Sequence, residues 1–268
     1  MLVCALGDLT LDVIVRVTGP IARGADTRAE TQLAPGGQAA NVAAWATALG
    51  AQGRFIGKRG ADDAGALAFR GLETRGVETR GPVEGRGGII CSLVDDTGER
   101  SMLSDRGTAV DFRPNELDPG WLSGCDHLFV SGYALLREPV RDTALAAIAA
   151  ARRGGAAVSV DLASWSAVSE SGAEAFRVLL EDISPEVVFA NEDEERVLGG
   201  PLPGTFWILK RGPRGCSFDG DERAALPVDE VVDSTGAGDA LAAGFIVGGP
   251  DLALEAAARC VARIGSMP

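Results

Sequence analysis

The segment DSTGAGDALAAGF, Asp233 to Phe245, combines glycines and carboxylates in an order suited to chemistry on a phosphate group. Gly236 and Gly238 flank Ala237 and let the backbone approach a ligand without a Cβ in the way. The apolar run that follows predicts a helix whose first N–H groups are unpaired and attract phosphate. Asp239 falls in its first turn, where a carboxylate could take a proton from an alcohol. The spacing indicates phosphoryl transfer to a hydroxyl, with the loop amides as an anion hole.

The same segment has a simpler structural explanation. Gly-Ala-Gly can pack a helix tightly against a strand, and an acidic residue such as Asp239 is favourable in the first turn of any helix. A single glycine motif does not decide between the two interpretations.

A second glycine motif, GGQAAN, runs from Gly36 to Asn41 and opens the apolar run Val42 to Leu49. Three further motifs accompany these two: Gly-x-x-x-x-Asp at 7–12, Asn-x-x-Glu at 191–194 and Gly-x-x-Gly at 212–215. In this order the motifs resemble those of the ribokinase-like (PfkB) sugar kinase family, and the resemblance covers nearly the whole chain. It implies an α/β fold: a three-layer α/β/α domain over residues 1–268, with a mostly parallel central sheet and a small β-sheet lid.

On the acceptor side, the resemblance implies that Asp12 bonds the hydroxyls of a sugar and that Gly36, Gly37 and Asn41 line the same pocket. A carboxylate suits this task because it can accept hydrogen bonds from two adjacent alcohols. The alternatives are local: Asp12 as the first residue of a hairpin on a solvated face, and Asn41 as a helix cap.

On the nucleotide side, the resemblance implies that Asn191 and Glu194 help to arrange Mg²⁺ and phosphate groups, mainly through water. It also implies that Lys210, Gly212 and Gly215 belong to a loop that approaches ATP. The alternatives are an Asn cap before an acidic first turn, and an ordinary hairpin turn.

A monovalent cation is the third ligand that the resemblance implies. Asp233 and Thr235 match positions that bind K⁺ in many ribokinase-like enzymes. Activation by K⁺ is therefore a hypothesis, beside the implied cofactors ATP and Mg²⁺.

These residues together predict an ATP-dependent kinase that phosphorylates a small sugar, with Asp239 as general base. The stretch Ser131-Gly132-Tyr133 lacks the acid with which ribokinases proper hold ribose, so ribose itself is in doubt. A nucleoside kinase of the same family is the alternative. A non-catalytic sensor on the same fold is a further alternative, although the retained Asp239 argues against it.

Short β-branched runs alternate with Ala-rich runs, which predicts parallel strands joined by helices. Two regions that break the alternation, about 12–33 and 88–104, predict the lid, with Asp-Asp-Thr-Gly at 95–98 as a turn. The predicted strands are Leu2–Leu6, Arg54–Gly57, Leu128–Ser131, Ala157–Asp161, Val187–Ala190 and Phe206–Leu209. The predicted helices are Gln38–Leu49, Asp63–Thr74, Val140–Arg153, Ala173–Glu181, Asp193–Leu198, Gly238–Val247 and Leu252–Arg263.

Composition excludes several classes of protein. The 268 residues carry a formal net charge of −13 and no run of Lys and Arg, which argues against nucleic acid as a partner. The N-terminus reads as a strand rather than a signal peptide, and by this reading no segment is long enough to span a membrane, so a cytoplasmic location is expected. Five scattered cysteines without C-x-x-C spacing predict free thiols and no zinc site, and the single His127 predicts a structural role. The family's use of the lid in dimer contacts suggests a homodimer.

Overall fold

The computed structural model describes residues 1–95 and 100–268. In these residues the strands form one nine-stranded sheet and one four-stranded sheet. The strands of the large sheet are β1 Leu2–Leu6, β4 Gln52–Ile56, β5 Glu78–Arg80, β8 His127–Ser131, β9 Ala157–Asp161, β10 Val187–Asn191, β11 Phe206–Lys210, β12 Cys216–Phe218 and β13 Asp221–Arg223. Those of the small sheet are β2 Thr10–Val17, β3 Ala29–Gly36, β6 Gly88–Val94 and β7 Arg100–Asp105.

The large sheet has the order β13-β12-β11-β10-β9-β8-β1-β4-β5. Its pairs from β5 to β11 are parallel, and β12 and β13 add an antiparallel edge. Parallel neighbours end at the same edge of a sheet, so the residues that follow β1, β8, β9, β10 and β11 are brought together there. This edge carries the candidate site.

Helices cover both faces of the large sheet, and each face has its own apolar core. Trp45 and Phe55 are among the fully buried residues of one core, and Leu128 and Val160 belong to the other. The helices are α1 Gln38–Ala48, α2 Asp63–Glu73, α3 Gly132–Leu135, α4 Val140–Arg153, α5 Trp165–Ser171, α6 Ala173–Ile183, α7 Glu192–Leu198 and α8 Ala237–Val261. The three-layer α/β/α arrangement predicted from the sequence is confirmed.

Helix α8 combines the two helices predicted at the C-terminal end of the chain. Gly248 and Gly249 leave helical geometry and Pro250 follows them, so the helix is kinked where the prediction placed a break. By length and composition α8 is the one helix of the described residues that could cross a membrane, which the sequence analysis did not foresee. Half of the most apolar 18-residue stretch of α8 is buried, and the helix packs against α1, as expected of a core helix.

The small sheet has the order β3-β2-β6-β7, with β2 and β6 parallel and the outer pairs antiparallel. Strand β2 begins at Thr10, three residues beyond Gly7, so the chain passes directly from the edge of the large sheet into the small one. The predicted turn at 95–98 lies outside the described residues except for Asp95.

His127 and the cysteines have packing roles. His127 lies at the first residue of β8, away from the edge that carries the site, and its Nε2 is 2.9 Å from Ser159 Oγ. Burial lowers the pKa of His127 to about 4, so the ring is neutral at pH 7. All five cysteines are free thiols, and no group of residues suited to a metal is found among the described residues.

Candidate active site

The Asp239 carboxylate is held by a chain of side-chain hydrogen bonds from three parts of the molecule. Asp239 lies in the first turn of α8, and Asn41 Nδ2 on α1 donates to its Oδ2 at 2.7 Å. Ser266 Oγ, near the C-terminus, donates to Asn41 Oδ1 at 3.0 Å. Because Asn41 is bonded on both sides, it fixes the direction in which Asp239 presents its carboxylate.

The surroundings of Asp239 favour its protonated form. Burial raises the pKa of Asp239 to about 8; the hydrogen bond from Asn41 opposes this rise, and the negative charge of Asp161 adds to it. A carboxyl group with a pKa near the working pH is suited to exchange a proton with an alcohol.

Gly236 and Gly238 form a tight loop at the start of α8. Gly236 has φ 79°, and a Cβ there would lie 2.5 Å from the Cβ of Ser266, so no other residue fits. A Cβ on Gly238 would lie 3.4 Å from Lys210 Nζ, which places this loop beside an ammonium group. The Ala237 amide makes a long contact of 3.4 Å with the Ser234 carbonyl oxygen. The loop thus brings the start of a helix and a cation to one point.

Lys210 ends β11 and reaches across the end of β10 to Asp161 at the end of β9. Its Nζ is 2.5 Å from Asp161 Oδ2, and the two side chains are 16% and 1% exposed. Burial by itself lowers the pKa of Lys210, but the charges of Asp161 and Glu194 outweigh it and the pKa is raised. Lys210 is therefore a fixed positive charge at the loop.

Asn191 and Glu194 form a capping box at the start of α7. Asn191 Oδ1 accepts from the amides of Asp193 and Glu194, and Glu194 Oε2 accepts from the Asn191 amide at 2.8 Å. The cap that the sequence left as an alternative is thus formed. Glu194 is also 2% exposed and interacts with Lys210 and Asp161, and burial raises its pKa. Glu194 therefore combines a capping role with a position beside Lys210 and Asp161.

The Gly212–Gly215 loop joins β11 to β12. A Cβ on Gly215 would overlap the carbonyl oxygen of Arg223, whereas one on Gly212 would meet open space. Arg211 pairs with Glu222, and Arg214 pairs with Glu192. Gly215 is therefore required by the packing of the β12–β13 hairpin, and Gly212 lies on the open side of the loop.

Asp12 projects from β2 of the small sheet toward the start of α1. Thr10 Oγ1 donates to Asp12 Oδ1 at 2.9 Å, and the residue is 8% exposed. Burial raises the pKa of Asp12 to about 6, and the Thr10 hydrogen bond acts in the opposite direction. A Cβ on Gly36 would overlap the Asp12 carboxylate, and one on Gly37, which has φ 100°, would overlap the Asp8 carbonyl oxygen. These glycines allow α1 to start against the Asp12 side chain and the backbone of Asp8.

Both carboxylate oxygens of Asp233 accept hydrogen bonds from backbone amides. Its Oδ1 accepts from the Thr235 amide at 2.7 Å, and its Oδ2 accepts from the Gly265 amide at 3.1 Å. It therefore ties the loop before α8 to the C-terminal segment. Binding of K⁺ at Asp233 and Thr235 stays a prediction.

The structure brings most of the predicted residues to the edge of the large sheet that carries Asp239, in two groups. Asp12, Gly36, Gly37 and Asn41 lie on the side of the small sheet, and Lys210 and Glu194 lie on the other side of Asp239. Sequence reasoning missed Ser266, and it named the strand end at Asp161 only as a segment that could shape the pocket, without its pairing with Lys210. The position of Asp161 at the end of a buried strand was a usable signal, whereas nothing in the local sequence marks Ser266.

Comparisons with known proteins show the family and the fold of this chain. The model of the pfkB family carbohydrate kinases matches residues 1–267. An ATP-dependent ribose-1-phosphate kinase from Halopiger xanaduensis is 33% identical over 279 residues, covering 96% of this chain and 90% of that protein. Among solved structures, adenosine kinase from Sinorhizobium meliloti has a TM-score of 0.86 and 22% identity, covering 99% of this chain and 95% of that one. An E. coli protein assigned as ribokinase II, solved with ATP and Mg²⁺, has a TM-score of 0.82 and 22% identity, covering 99% and 94%. The two structures show likeness of fold.

Proposed function

Because the chain belongs to the pfkB family of carbohydrate kinases, we propose that it transfers the γ-phosphoryl group of ATP to a hydroxyl of a small sugar or sugar-like acceptor. The observation that carries this proposal is the position of Asp239. Its carboxylate stands in the first turn of α8, fixed by Asn41, beside the Gly236–Gly238 loop and Lys210. A base, an anion-binding loop and a cation at one point are what phosphoryl transfer to an alcohol requires.

In the proposed reaction, the ionised Asp239 carboxylate takes the proton of the acceptor hydroxyl. The hydroxyl oxygen forms a bond to the γ-phosphorus as the bond from that phosphorus to the β–γ bridging oxygen breaks. The electron pair of the broken bond leaves with ADP. The phosphoryl group passes from the bridging oxygen of ATP to the acceptor oxygen. During this transfer the loop amides and Lys210 stabilise the negative charge on the phosphoryl oxygens.

The nucleotide side would be formed by Lys210, Asn191, Glu194 and the open face of Gly212. Glu194 offers a buried carboxylate there, and oxygen ligands of this kind suit Mg²⁺ that keeps most of its waters. Mg²⁺, when bound, neutralises phosphate charge, and Glu194 would hold it, mainly through water. Lys210 contributes a positive charge to the same phosphates.

The acceptor side would be formed by Asp12, Gly36, Gly37 and Asn41. Asp12 Oδ1 is already bonded to Thr10, which leaves Oδ2 for an acceptor hydroxyl. The name of the Halopiger relative supports a phosphorylated pentose as one acceptor to test. Neutral sugars and nucleosides complete the panel.

The proposal is tested by measuring ADP release with MgATP and K⁺. The acceptors are ribose, ribose 1-phosphate, fructose, 2-keto-3-deoxygluconate, adenosine, inosine and pseudouridine. We expect turnover with one or a few of these compounds and a fall in kcat of roughly 10²- to 10⁴-fold in Asp239→Asn, because the base is removed.

Asp142→Asn is the matched control, because Asp142 is also a first-turn acid, on the exposed start of α4. It should keep wild-type kcat. Full activity of Asp239→Asn would contradict the role of the base. Binding of an acceptor and ATP without any ADP release would instead favour a sensor.

A further inference from the structure

The Asp8 carboxylate is buried but only half satisfied. Asp8 follows β1 at the edge that carries the site, and it is 5% exposed. Its Oδ2 accepts a hydrogen bond from Arg106 Nη1. Its Oδ1 is buried and has no hydrogen-bond partner among residues 1–95 and 100–268. Buried carboxylate oxygens are rarely left without a donor, so this atom calls for one from outside the chain.

Asp8 lies close to the residues proposed to act on the acceptor. Its negative charge contributes to the raised pKa values of both Asp12 and Asp239, after the larger effects of burial and hydrogen bonding. Its backbone carbonyl is so close to Gly37 that a Cβ on Gly37 would overlap it. A donor that reaches Asp8 Oδ1 would therefore come from a molecule bound at the same edge of the large sheet as Asp239.

Arg106 keeps the Asp8 carboxylate from turning to another partner. The guanidinium lies 3.3 Å from the centroid of the Tyr133 ring, and its side chain is 17% exposed. Stacking on the ring and the ion pair together fix its position. Since Arg106 holds Oδ2, the free Oδ1 has a set direction.

Arg106 and Tyr133 line both the small space beside Asp8, of about 10 Å³, and a cavity of about 680 Å³, which is large enough for a monosaccharide. Its wall carries both donors and acceptors, among them Ser104, Arg137 and Ser164. The charges on the wall are mixed, because Asp105 and Glu170 line it as well, and Asp105 is paired with Arg86. Such a wall suits hydroxyl groups, which both donate and accept.

We propose that Asp8 is a second acceptor-binding carboxylate, whose Oδ1 accepts a hydrogen bond from a hydroxyl other than the one that is phosphorylated. The assignment rests on the proposed kinase function and deepens it. It names the acceptor as a polyhydroxylated compound held at two carboxylates, Asp12 and Asp8. Arg106 acts on the acceptor through Asp8 and is a positioning residue.

The first test is the Asp8→Asn variant, with KM measured for the acceptor and for ATP. Arg106 would hold the amide oxygen, so the NH₂ group would face the acceptor hydroxyl and could not accept its hydrogen. We expect the acceptor KM to rise roughly 10- to 100-fold, with KM for ATP unchanged. An unchanged acceptor KM, as expected if a water molecule satisfies Oδ1, would overturn the assignment.

The variant leaves Arg106 without its charge partner, so folding needs its own check. Asp8→Asn with Arg106→Gln removes both charges, and it should show the same rise in acceptor KM with wild-type thermal stability. Asp182→Asn, on the exposed end of α6, is the control and should change neither value.

Monodeoxy forms of ribose, ribose 1-phosphate and fructose identify the hydroxyl. Loss of the hydroxyl that meets Asp8 should weaken binding to the wild type by the same factor as Asp8→Asn, and should cost the variant nothing further. Additive losses for every deoxy form would overturn the assignment. Calorimetric binding without ATP gives the same comparison when no turnover occurs, so a failed kinase function and a failed Asp8 assignment are distinguishable.

Discussion

At the scale of single residues, Asp239 sets the conditions under which the proposed chemistry can run. Only the ionised carboxylate can accept a proton, and burial holds its pKa at about 8 in the free protein. Asn41 is the neighbour that stabilises the ionised form most, because its amide donates to the carboxylate, and the charge of Lys210 acts in the same direction. The hydrogen bond between Asn41 and Asp239 should therefore influence the pH dependence of the proposed reaction.

We expect kcat/KM to rise with pH up to about 8 and then to level off, because the fraction of ionised Asp239 increases over that range. In Asn41→Ala the rising limb should move to higher pH, because the hydrogen bond that lowers the pKa is lost. Ser266→Ala keeps the bond between Asn41 and Asp239, so its profile should move less. If kcat/KM rose over the same pH range in the wild type and both variants, another group would control the rate.

We expect Lys210 to affect both the rate of the reaction and the stability of the fold. In Lys210→Met we expect a higher KM for ATP and a lower kcat, together with a loss of roughly 3–5 kcal/mol in unfolding free energy, because Asp161 is left buried and unpaired. Asp161→Asn in the same chain should restore much of the stability and none of the activity. Denaturant titration and steady-state kinetics separate the two effects.

Lys58→Met is the control for Lys210→Met. Lys58 is also a buried lysine, 4% exposed and 2.8 Å from both Glu84 and Glu116. It should lose stability and keep the wild-type KM for ATP. If the double variant at Lys210 and Asp161 regained activity, Lys210 would be only a structural residue.

At the scale of elements, the start of α8 depends on the C-terminal segment. Gly236 has to pass Ser266 without a side chain, and Asp233 bonds the amide of Gly265. Trp45 of α1 donates its indole N–H to the Ser266 carbonyl oxygen at 2.9 Å. The C-terminal segment therefore positions the Gly236–Gly238 loop, which is proposed to bind the phosphoryl group.

Gly236→Ala should lower kcat at least 100-fold and reduce stability, because its Cβ would displace Ser266 and with it Asn41. Gly199→Ala is the matched control: Gly199 also has a positive φ, 86°, but a Cβ there meets open space. It should lose only the roughly 1 kcal/mol of strain expected for such a residue and keep its kcat. Equal losses of kcat in the two variants would contradict this role of Gly236.

At the scale of the whole molecule, the small sheet exposes apolar side chains on its two edge strands. Leu33 on β3 is 56% exposed, and Met102 and Leu103 on β7 are 48% and 57% exposed. Exposed apolar residues on edge strands invite contact with another chain. We expect a homodimer formed through the small sheet, as the family resemblance suggested.

Sedimentation equilibrium measures this directly. Leu33→Glu combined with Leu103→Glu should convert the dimer to a monomer, because two charges would be placed in the contact. Leu67→Glu on α2, which is 38% exposed and lies outside the small sheet, is the control and should stay dimeric. A monomeric wild type would contradict the expectation.

The sequence by itself determined most elements of the large sheet. Strands β1 and β9 and helix α4 have the predicted bounds, and most other predicted elements agree within a few residues. Buried parallel strands are short runs of β-branched residues, and the helices between them are rich in alanine, so both carry a strong local signal. The short strands β5, β12 and β13 were missed, because three residues leave no periodic pattern. The lid region predicted at about 12–33 covers only the first part of the exposed strand β3.

The sequence also determined which segments lie at the edge of the large sheet that carries the site, since the ends of parallel strands and the starts of helices meet there. Only the tertiary structure decided how their side chains pair. Asn41 meets Asp239 across 198 residues and Ser266 across 225, and Lys210 meets Asp161 across 49. Such contacts depend on the packing of distant elements. Local spacing therefore fixes the position of a functional group along the chain, and packing fixes its partners and its pKa.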